Sequence, residues 1–440
     1  MIETAEPVER AYLVALEQPG ARFEGADALE ELAALVAAAG GSVVGRTTQR
    51  RRTPDANTWV GKGKASEVAT EIARQSAELL VCDDELKPAQ QRSLEKLCGV
   101  RVIDRSAVIL DIFAKHARSQ EGKLQVELAQ LEYRLPRLAG SGRELSRLGG
   151  GINTRGPGET KLESDRQVIR KRIQDLRGRI VEMGKQRERG RRSRAQEGLF
   201  LAALVGYTNA GKSTLLNALS GADVFVADQP FATLDPTTRR TSLPSGTVIL
   251  LSDTVGFVNK LPPALVAAFH ATLEELRDAD LLVHVADVAH PNLHERLAVV
   301  KDTLASLDLA QKPVLLALNQ VDRLRAPSGG VRGPSGGVNS AEGAALREAL
   351  GAEFPAAAFV SARTGAGIDG LKAALAAAAA AQWSAVHVTL PHREGALVQR
   401  IRERGALRRA DYGERGIEIE ADVPPDLASE LRRRAARAAS

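Results

Sequence analysis

Residues 206–213 read Gly-Tyr-Thr-Asn-Ala-Gly-Lys-Ser, which fits the phosphate-binding pattern G-x-x-x-x-G-K-[S/T] at every position. An apolar strand-like stretch, Phe200–Val205, precedes this loop, and a helical pattern, Thr214–Leu219, follows it. Glycines let backbone N–H groups turn toward phosphates, and the N-terminus of the helix adds its positive end. The sequence therefore predicts a strand–loop–helix unit that binds a nucleoside triphosphate. The residues expected to contact the nucleotide here are Gly206, Tyr207, Thr208, Asn209, Ala210, Gly211, Lys212, Ser213 and Thr214.

Within this loop, Lys212 is expected to reach the β- and γ-phosphates, and Ser213 is expected to bind Mg²⁺. A second motif, Asp253-Thr254-Val255-Gly256, follows the apolar stretch Thr247–Leu251. Asp253 can hold Mg²⁺ through a water molecule, and the Gly256 N–H can contact the γ-phosphate. We therefore predict that Lys212, Asp253 and Gly256 act in the reaction itself.

The segment Phe231-Ala232-Thr233-Leu234-Asp235 lies between these two motifs. Thr233 is the candidate that binds Mg²⁺ and takes part in catalysis only when the γ-phosphate is present, as in order–disorder switches. Thr237 and Thr238 compete for that role, since spacing alone does not choose among the three threonines.

Two further motifs indicate which base is bound. Asn319-Gln320-Val321-Asp322 follows the apolar strand Val314–Leu318. The Asp322 carboxylate can accept from guanine N1–H and from its exocyclic amine, whereas adenine would leave it unpaired. The segment Ser361-Ala362-Arg363 follows the strand-like stretch Ala357–Val360, and its backbone can donate to guanine O6.

Motifs in this order, each at the end of a strand, predict a GTP-hydrolysing switch that resembles the translation-factor-like class of P-loop GTPases. The residue after Gly256 is Phe257, where many GTPases carry the glutamine that orients the attacking water. We therefore expect slow hydrolysis by the isolated protein, with a partner completing the site.

The order of strand and helix patterns predicts an α/β fold built around a doubly wound P-loop GTPase sheet. We expect an N-terminal α/β domain with parallel strands, a long helical hairpin, the GTPase domain and a small α+β C-terminal domain. The predicted hairpin combines a helix over residues 105–138 with a charged helix over 160–196, and an alanine-rich helix is predicted over 371–386. The predicted domain ranges are 1–115, 116–198 with a glycine-rich loop at 138–160, 199–380 with a disordered insertion at 325–343, and 381–440.

The charge of the chain is unevenly distributed. The net charge is only +5, but Arg166–Arg194 holds twelve Lys or Arg residues and three acidic ones, a density typical of nucleic-acid contacts. The other interpretation is a solvated helix face.

Cys82 and Cys98 are too few and too far apart for a disulfide framework or a zinc site. No signal peptide or apolar membrane span is recognisable, so a cytoplasmic protein is expected.

Several segments together resemble the HflX family of ribosome-associated GTPases. They are GGGINTRGPGETKLE at Gly149–Glu163, GYTNAGKST, FATLDPTTR, WVGKGK, and DIFAKHARSQEGKLQVELAQLEYRLPRL. The resemblance implies a monomer that uses GTP and Mg²⁺, binds the large ribosomal subunit and its RNA, and splits stalled ribosomes under stress. It also implies ribosome contacts at or near the hairpin tip by Arg143, Arg147, Arg155 and Lys161. The family usually has lysine at the position of Gln320, so weaker nucleotide binding is expected with the base preference unchanged.

Two other functions fit the same motifs. A nucleotide-gated regulatory protein that binds ribosomes or RNA without splitting them cannot be separated from a splitting factor by sequence. A tRNA-modification GTPase also joins a GTPase domain to long helices, but that class carries a cysteine motif near its C-terminus. No cysteine follows Cys98 here.

Overall fold

The structure is a computed structural model that describes residues 8–138, 157–197, 199–221, 230–231, 237–244, 246–260, 275–324, 341–414 and 416–439. The chain divides into two compact units. The first comprises Met1–Lys185 with Asp228–Asp235 and Val258–Ala271, and the second comprises Gln186–Ala227, Pro236–Phe257 and Thr272–Ser440. The four predicted domain ranges are not tested by this division and stay a prediction.

The first unit opens with alternating strands and helices. They are β1 (Arg10–Glu17), α1 (Gly25–Ala38), β2 (Ser42–Arg50), α2 (Lys62–Gln75), β3 (Leu79–Cys82), α3 (Pro88–Cys98) and β4 (Arg101–Asp104). The described strands pair in parallel in the order β2-β1-β3-β4. All four residues of β3 are buried, because a parallel strand covered by helices on both faces is apolar throughout. The predicted parallel α/β domain is confirmed.

The helical part that follows begins with two helices where one was predicted. Helix α4 (Arg105–His116) ends at Ala117, which is extended, and α5 (Gln120–Arg137) begins after Ser119. The Asp104 carboxylate accepts from Ala107 N, and the Ser119 hydroxyl accepts from Gly122 N, so each helix has its own N-cap. The prediction of one helix over 105–138 is therefore wrong, because apolar spacing continues through a break that the caps define.

The basic helix is α6 (Pro157–Glu197), close to the predicted 160–196. Ion pairs join it to α5 through Arg172 with Glu127 and Arg177 with Glu132, at 2.7 Å each. Residues 139–156 lie outside the described part of the chain. The predicted glycine-rich loop at 138–160 is therefore tested only at its end, where α6 already begins at Pro157.

The second unit contains the predicted doubly wound sheet. Its strands are β5 (Leu201–Val205), β6 (Thr237–Ser242), β7 (Val248–Asp253), β8 (Leu281–Asp287), β9 (Val314–Asn319) and β10 (Ala358–Phe359). In the described residues their order is β10-β9-β8-β5-β7-β6, parallel except for β6 at the edge. The helices are α7 (Lys212–Ser220), α8 (Leu293–Ser306), α9 (Ala341–Glu353) and α10 (Ile368–Ala380). Because the parallel strands end at one edge, the loops that carry the motifs meet there.

Two sequence expectations fail in this unit. The helix predicted over 371–386 stops at Ala380, and β11 (Ser384–Leu390) follows, since its residues alternate between buried and exposed from Val386 onward. The insertion predicted over 325–343 ends earlier, because α9 already begins at Ala341. Residues 325–340 lie outside the described part.

The last segment of the second unit contains β11, α11 (Gly395–Arg404), β12 (Ala406–Gly413), β13 (Gly416–Val423) and α12 (Pro425–Ala439). Among the described residues the strands form an antiparallel sheet in the order β11-β13-β12. Leu397, Ile401, Leu427 and Leu431 from the helices pack on Ile417 and Ile419 of the sheet. The small α+β region predicted at 381–440 thus has its own hydrophobic core.

Asp104 ties α5 to the sheet of the first unit. Its fully buried carboxylate accepts from Leu86 N at 3.0 Å, Tyr133 Oη at 2.9 Å and Arg137 at 2.8 Å, besides capping α4. Asp104→Ala leaves the Arg137 charge without its partner, so we expect a loss of about 3–5 kcal/mol in the free energy of unfolding. Tyr133→Phe removes a single hydrogen bond and should cost about 1 kcal/mol.

The measurement is denaturant unfolding followed by the fluorescence of Trp59, which is buried in the first unit. The other tryptophan, Trp383, is replaced by phenylalanine in every variant so that one unit is observed. Equal losses for Asp104→Ala and Tyr133→Phe would contradict the role assigned to Asp104.

Candidate nucleotide site

The phosphate-binding loop runs from the end of β5 to the start of α7. Gly211 has φ of +87°, and a Cβ atom there would collide with the side-chain amide of Asn319, so glycine is required on both counts. Lys212 is 7% exposed and donates to Gly206 O at 3.2 Å and Tyr207 O at 3.0 Å. Burial lowers the pKa of Lys212 to about 8, while the charge of Asp253 opposes that shift. An ammonium held in this way is suited to an anionic ligand.

Ser213 and Asp253 meet beside the loop. The Ser213 hydroxyl donates to Asp253 Oδ2 at 2.5 Å, and Asp253, the last residue of β7, is 1% exposed. A hydroxyl and a carboxylate oxygen at this separation are hard donors of the kind that Mg²⁺ prefers together with phosphate oxygens. The residues present therefore fit Mg²⁺.

The segment after Asp253 packs directly on the phosphate-binding loop. Phe257 N donates to Gly206 O at 3.0 Å, and Thr208 N donates to Phe257 O at 2.8 Å, which forms a parallel bridge between Tyr207 and Phe257. A Cβ atom on Gly256 would lie 2.8 Å from Thr208 Cγ2 and 3.1 Å from Lys212 Nζ. The Thr254 hydroxyl donates a 2.6 Å hydrogen bond to Leu204 O, which holds this segment against β5. Gly256 thus lies against the lysine, and only glycine fits there.

Asn319 joins the remaining two motifs to this loop. Its amide donates to Ala210 O at 2.9 Å and its side-chain oxygen accepts from Ala362 N at 3.0 Å. Gln320, which has φ of +66°, donates to Asn209 O at 3.1 Å. The segments 319–322 and 361–363 are therefore brought together beside residues 209–210.

Asp322 lies at the centre of this group. Ser361 Oγ donates to its carboxylate at 2.5 Å, and Arg363 donates to the other oxygen at 2.5 and 3.0 Å. Burial alone would raise the pKa of Asp322, but the hydrogen bonds from Ser361 and Arg363 and the charge of Arg363 lower it below the usual value. The carboxylate is ionised at neutral pH, as an acceptor for guanine must be.

The other predicted residues are distributed as follows. Thr237 and Thr238 lie in β6, where they pair with Asp253 and Ser252 in the antiparallel ladder. Phe231 belongs to the first unit, where its ring meets the ring of Phe113 edge-on at 4.7 Å. Ala232, Thr233, Leu234, Asp235, Arg143, Arg147 and Arg155 lie outside the described residues, and Lys161 lies in α6 without a described side chain.

Sequence reasoning missed two contributors to the site. The guanidinium carbon of Arg296 in α8 lies 4.6 Å from the centre of the Tyr207 ring, and this cation–π contact stabilises the phosphate-binding loop. The bridge made by Phe257 was also missed, because it depends on backbone atoms that no residue pattern identifies.

Comparison with known proteins identifies similar families and one similar solved structure. Family profiles match consecutive parts of the chain: "GTP-binding GTPase N-terminal" over residues 26–114, "GTP-binding GTPase Middle Region" over 116–194, and "50S ribosome-binding GTPase" over 201–320. A solved structure of a GTP-binding protein from Sulfolobus solfataricus in complex with GDP is 24% identical. The match covers 84% of this chain and 98% of that one, with a TM-score of 0.40.

Curated relatives match over nearly the whole length. GTPase HflX of Caldanaerobacter subterraneus subsp. tengcongensis is 43% identical over 98% of this chain and 95% of its own. GTPase HflX of Escherichia coli is 42% identical over 90% of this chain and 89% of its own. In the part of the chain that the structure describes, no helix is both long and apolar enough to cross a membrane. By its motifs, its fold and these relatives, the chain belongs to the HflX family and is a GTP-hydrolysing enzyme.

Proposed function

We propose that the GTP-bound protein binds the large ribosomal subunit in the cytoplasm and dissociates stalled ribosomes, and that hydrolysis releases it. The observation that carries this proposal is the match of residues 201–320 to a family described as a 50S ribosome-binding GTPase. That match adjoins a helix whose sequence has twelve basic and three acidic residues between Arg166 and Arg194. Ribosomal RNA presents dense phosphate charge, so a basic helix suits backbone contacts that do not depend on sequence.

The ion pairs of α6 bear on where such contacts form. Arg166 and Arg170 both reach Glu163, while Arg172 and Arg177 reach acids on α5. These pairs are partly or fully exposed, and ion pairs in contact with solvent contribute little, so phosphates can replace the carboxylates. Lys171 and Arg179 have no acidic partner among the described side chains. We infer contacts from this helix, including Lys161, together with Arg143, Arg147 and Arg155 from the segment before it.

At the nucleotide site we assign the phosphates to the loop 206–214, with Lys212 on the β- and γ-phosphates. Mg²⁺ would be held by Ser213 and Thr233, with Asp253 acting through water, and when bound it neutralises charge on the phosphates. Thr233 is preferred over Thr237 and Thr238 because those two are fixed in the ladder of β6. Gly256 would contact the γ-phosphate. Guanine would be read by residues 319–322 and 361–363, with Asp322 as the acceptor.

Phe257 suggests how the reaction is controlled. A phenyl ring cannot orient water, and the Phe257 backbone is engaged by the phosphate-binding loop. We infer that the protein alone hydrolyses GTP slowly and that the ribosome completes the site. Turnover by the purified protein at the rate of an activated GTPase would contradict this inference.

The test is sucrose-gradient sedimentation of the purified protein with 70S ribosomes, comparing a non-hydrolysable GTP analogue with GDP. We expect the analogue, but not GDP, to move the protein onto large subunits and to deplete 70S particles. Binding without depletion would favour a regulatory protein that does not split ribosomes. Protein that stays at the top of the gradient with either nucleotide would refute ribosome binding and leave the GTPase assignment intact.

A further inference from the structure

Both oxygens of the Asp322 carboxylate accept hydrogen bonds from side chains of the segment 361–363. Ser361 Oγ donates to Oδ1 at 2.5 Å, whereas Arg363 donates to Oδ2 through two groups, Nε at 3.0 Å and Nη2 at 2.5 Å. A carboxylate offers about four lone-pair directions, two on each oxygen. The two N–H groups of Arg363 therefore fill the acceptor capacity of Oδ2, while Oδ1 can accept one more bond.

Of these two partners of Asp322, Arg363 is the one that can move away. Its side chain is 76% exposed, while that of Asp322 is 10% exposed. Ser361, in contrast, is fully buried, and its hydroxyl also accepts from Thr364 N at 3.2 Å. The backbone N–H of Ser361 donates to Ala366 O at 2.8 Å. An exposed guanidinium can return to water at little cost, whereas Ser361 is held in place by the loop around it.

Guanine presents two donors to such a carboxylate, the ring N1–H and the exocyclic amine, and each donor needs an acceptor. Oδ1 can receive one of them beside Ser361, but Oδ2 can receive the other only after Arg363 gives up at least one bond. Hypoxanthine lacks the amine and donates through N1–H alone, so the acceptor left on Oδ1 is sufficient for it. The Arg363 side chain therefore opposes recognition of the amine in particular.

We propose that Arg363 is a specificity-determining residue that competes with the exocyclic amine of guanine for Asp322, and so lowers the preference of the site for guanine over hypoxanthine. This inference rests on the proposed assignment of Asp322 as the guanine acceptor. The affinity for a ligand falls with the fraction of protein in the binding-competent form, which here is the form with Oδ2 open. Because the guanidinium is exposed, the pair should weaken guanine binding by about two- to fivefold.

The test measures the dissociation constants of GDP and of inosine diphosphate, whose base is hypoxanthine, by calorimetry. Arg363→Met removes both N–H groups and keeps a long side chain, so the constant for GDP should fall about two- to fivefold and that for inosine diphosphate should change less. Arg363→Lys keeps the charge but not the fork of N–H groups, so it should behave like Arg363→Met. Arg393→Met is the matched control, since Arg393 is an exposed arginine of the same unit.

An Arg363→Met protein that bound GDP no more tightly, or that gained equally for both nucleotides, would overturn the proposal. So would an Arg363→Lys protein that behaved like the original, because the charge and not the occupied acceptor would then be responsible. Asp322→Asn in the same assay separates this failure from failure of the Asp322 assignment. If Asp322 does not read guanine, neither Asp322→Asn nor Arg363→Met will change the ratio of the two constants. If Asp322 reads guanine without competition from Arg363, only Asp322→Asn will change it.

Discussion

Replacing Lys212 by alanine is expected to weaken the binding of GTP by roughly 10²- to 10³-fold, because it removes a buried charge and its donors from the phosphate-binding loop. The ammonium is buried, and without a ligand it is satisfied by Gly206 O and Tyr207 O. A triphosphate replaces those carbonyl contacts with charge-assisted ones. Alanine supplies neither charge nor donor, and no other described lysine or arginine contacts the loop carbonyls that hold Lys212.

The unliganded fold should survive this change. Burial lowers the pKa of Lys212 to about 8, which means that the charged form is held at a cost to the folded state. The melting temperature without nucleotide should therefore be equal or higher, while the stabilisation by GTP should disappear. Lys301→Ala, an exposed lysine on α8, is the matched control. A Lys212→Ala protein that still bound GTP normally by calorimetry would overturn the assignment of the phosphate-binding loop.

Asp322→Asn is expected to reduce the affinity for GTP by about 10²-fold and to create affinity for xanthosine triphosphate. The carboxylate accepts from the guanine N1–H and amine, whereas an amide presents a donor toward the amine. Xanthine carries a carbonyl oxygen where guanine carries its exocyclic amine, so the asparagine side-chain amide can donate a hydrogen bond to it. Ser361 and Arg363 hold the Asp322 side chain in place and can hold an asparagine oxygen in part.

Competition binding with GTP, xanthosine triphosphate and ATP measures this change of preference. Asp308→Asn is the control, because Asp308 is exposed in the same unit and its φ of +60° is one that asparagine tolerates. If Asp322→Asn still preferred GTP and did not gain xanthosine triphosphate, base recognition would have to lie elsewhere.

The residues at the ligand-binding edge of the sheet were predicted well because each motif there is a short, continuous stretch of sequence. The loop 206–213 and the segments 253–256 and 319–322 each follow an apolar strand, and parallel strands end at one edge. The break at Ala117 and the start of β11 at Ser384 were missed for a different reason. Apolar residues continue at helical spacing from α4 into α5, and a run of alanines precedes Ser384. In both places caps and tertiary contacts, which the residue pattern does not show, decide where the helix ends.

Contacts between distant residues could not be predicted at all. Lys260 and Asp83 are 177 positions apart, and neither stands out among the charged residues of the chain. The bridge between Phe257 and residues 206–208 uses only backbone atoms. Such contacts follow from the packing of whole elements, which a single sequence does not reveal.

The first unit is built from separate parts of the chain, and this constrains the order in which its contacts can form during synthesis. Most of that unit is complete at Lys185, but it takes in Asp228–Asp235 and Val258–Ala271 from later in the chain. At a synthesis rate of 5–20 residues per second, Lys260 follows Lys185 by roughly 4–15 seconds. During that interval Asp83 can pair with Arg105 but not with Lys260, which has not yet been made. The segment that carries Lys260 is therefore added after the rest of the first unit has been made, and its ion pairs with Asp83 and Asp84 can close only after translation has passed the phosphate-binding loop.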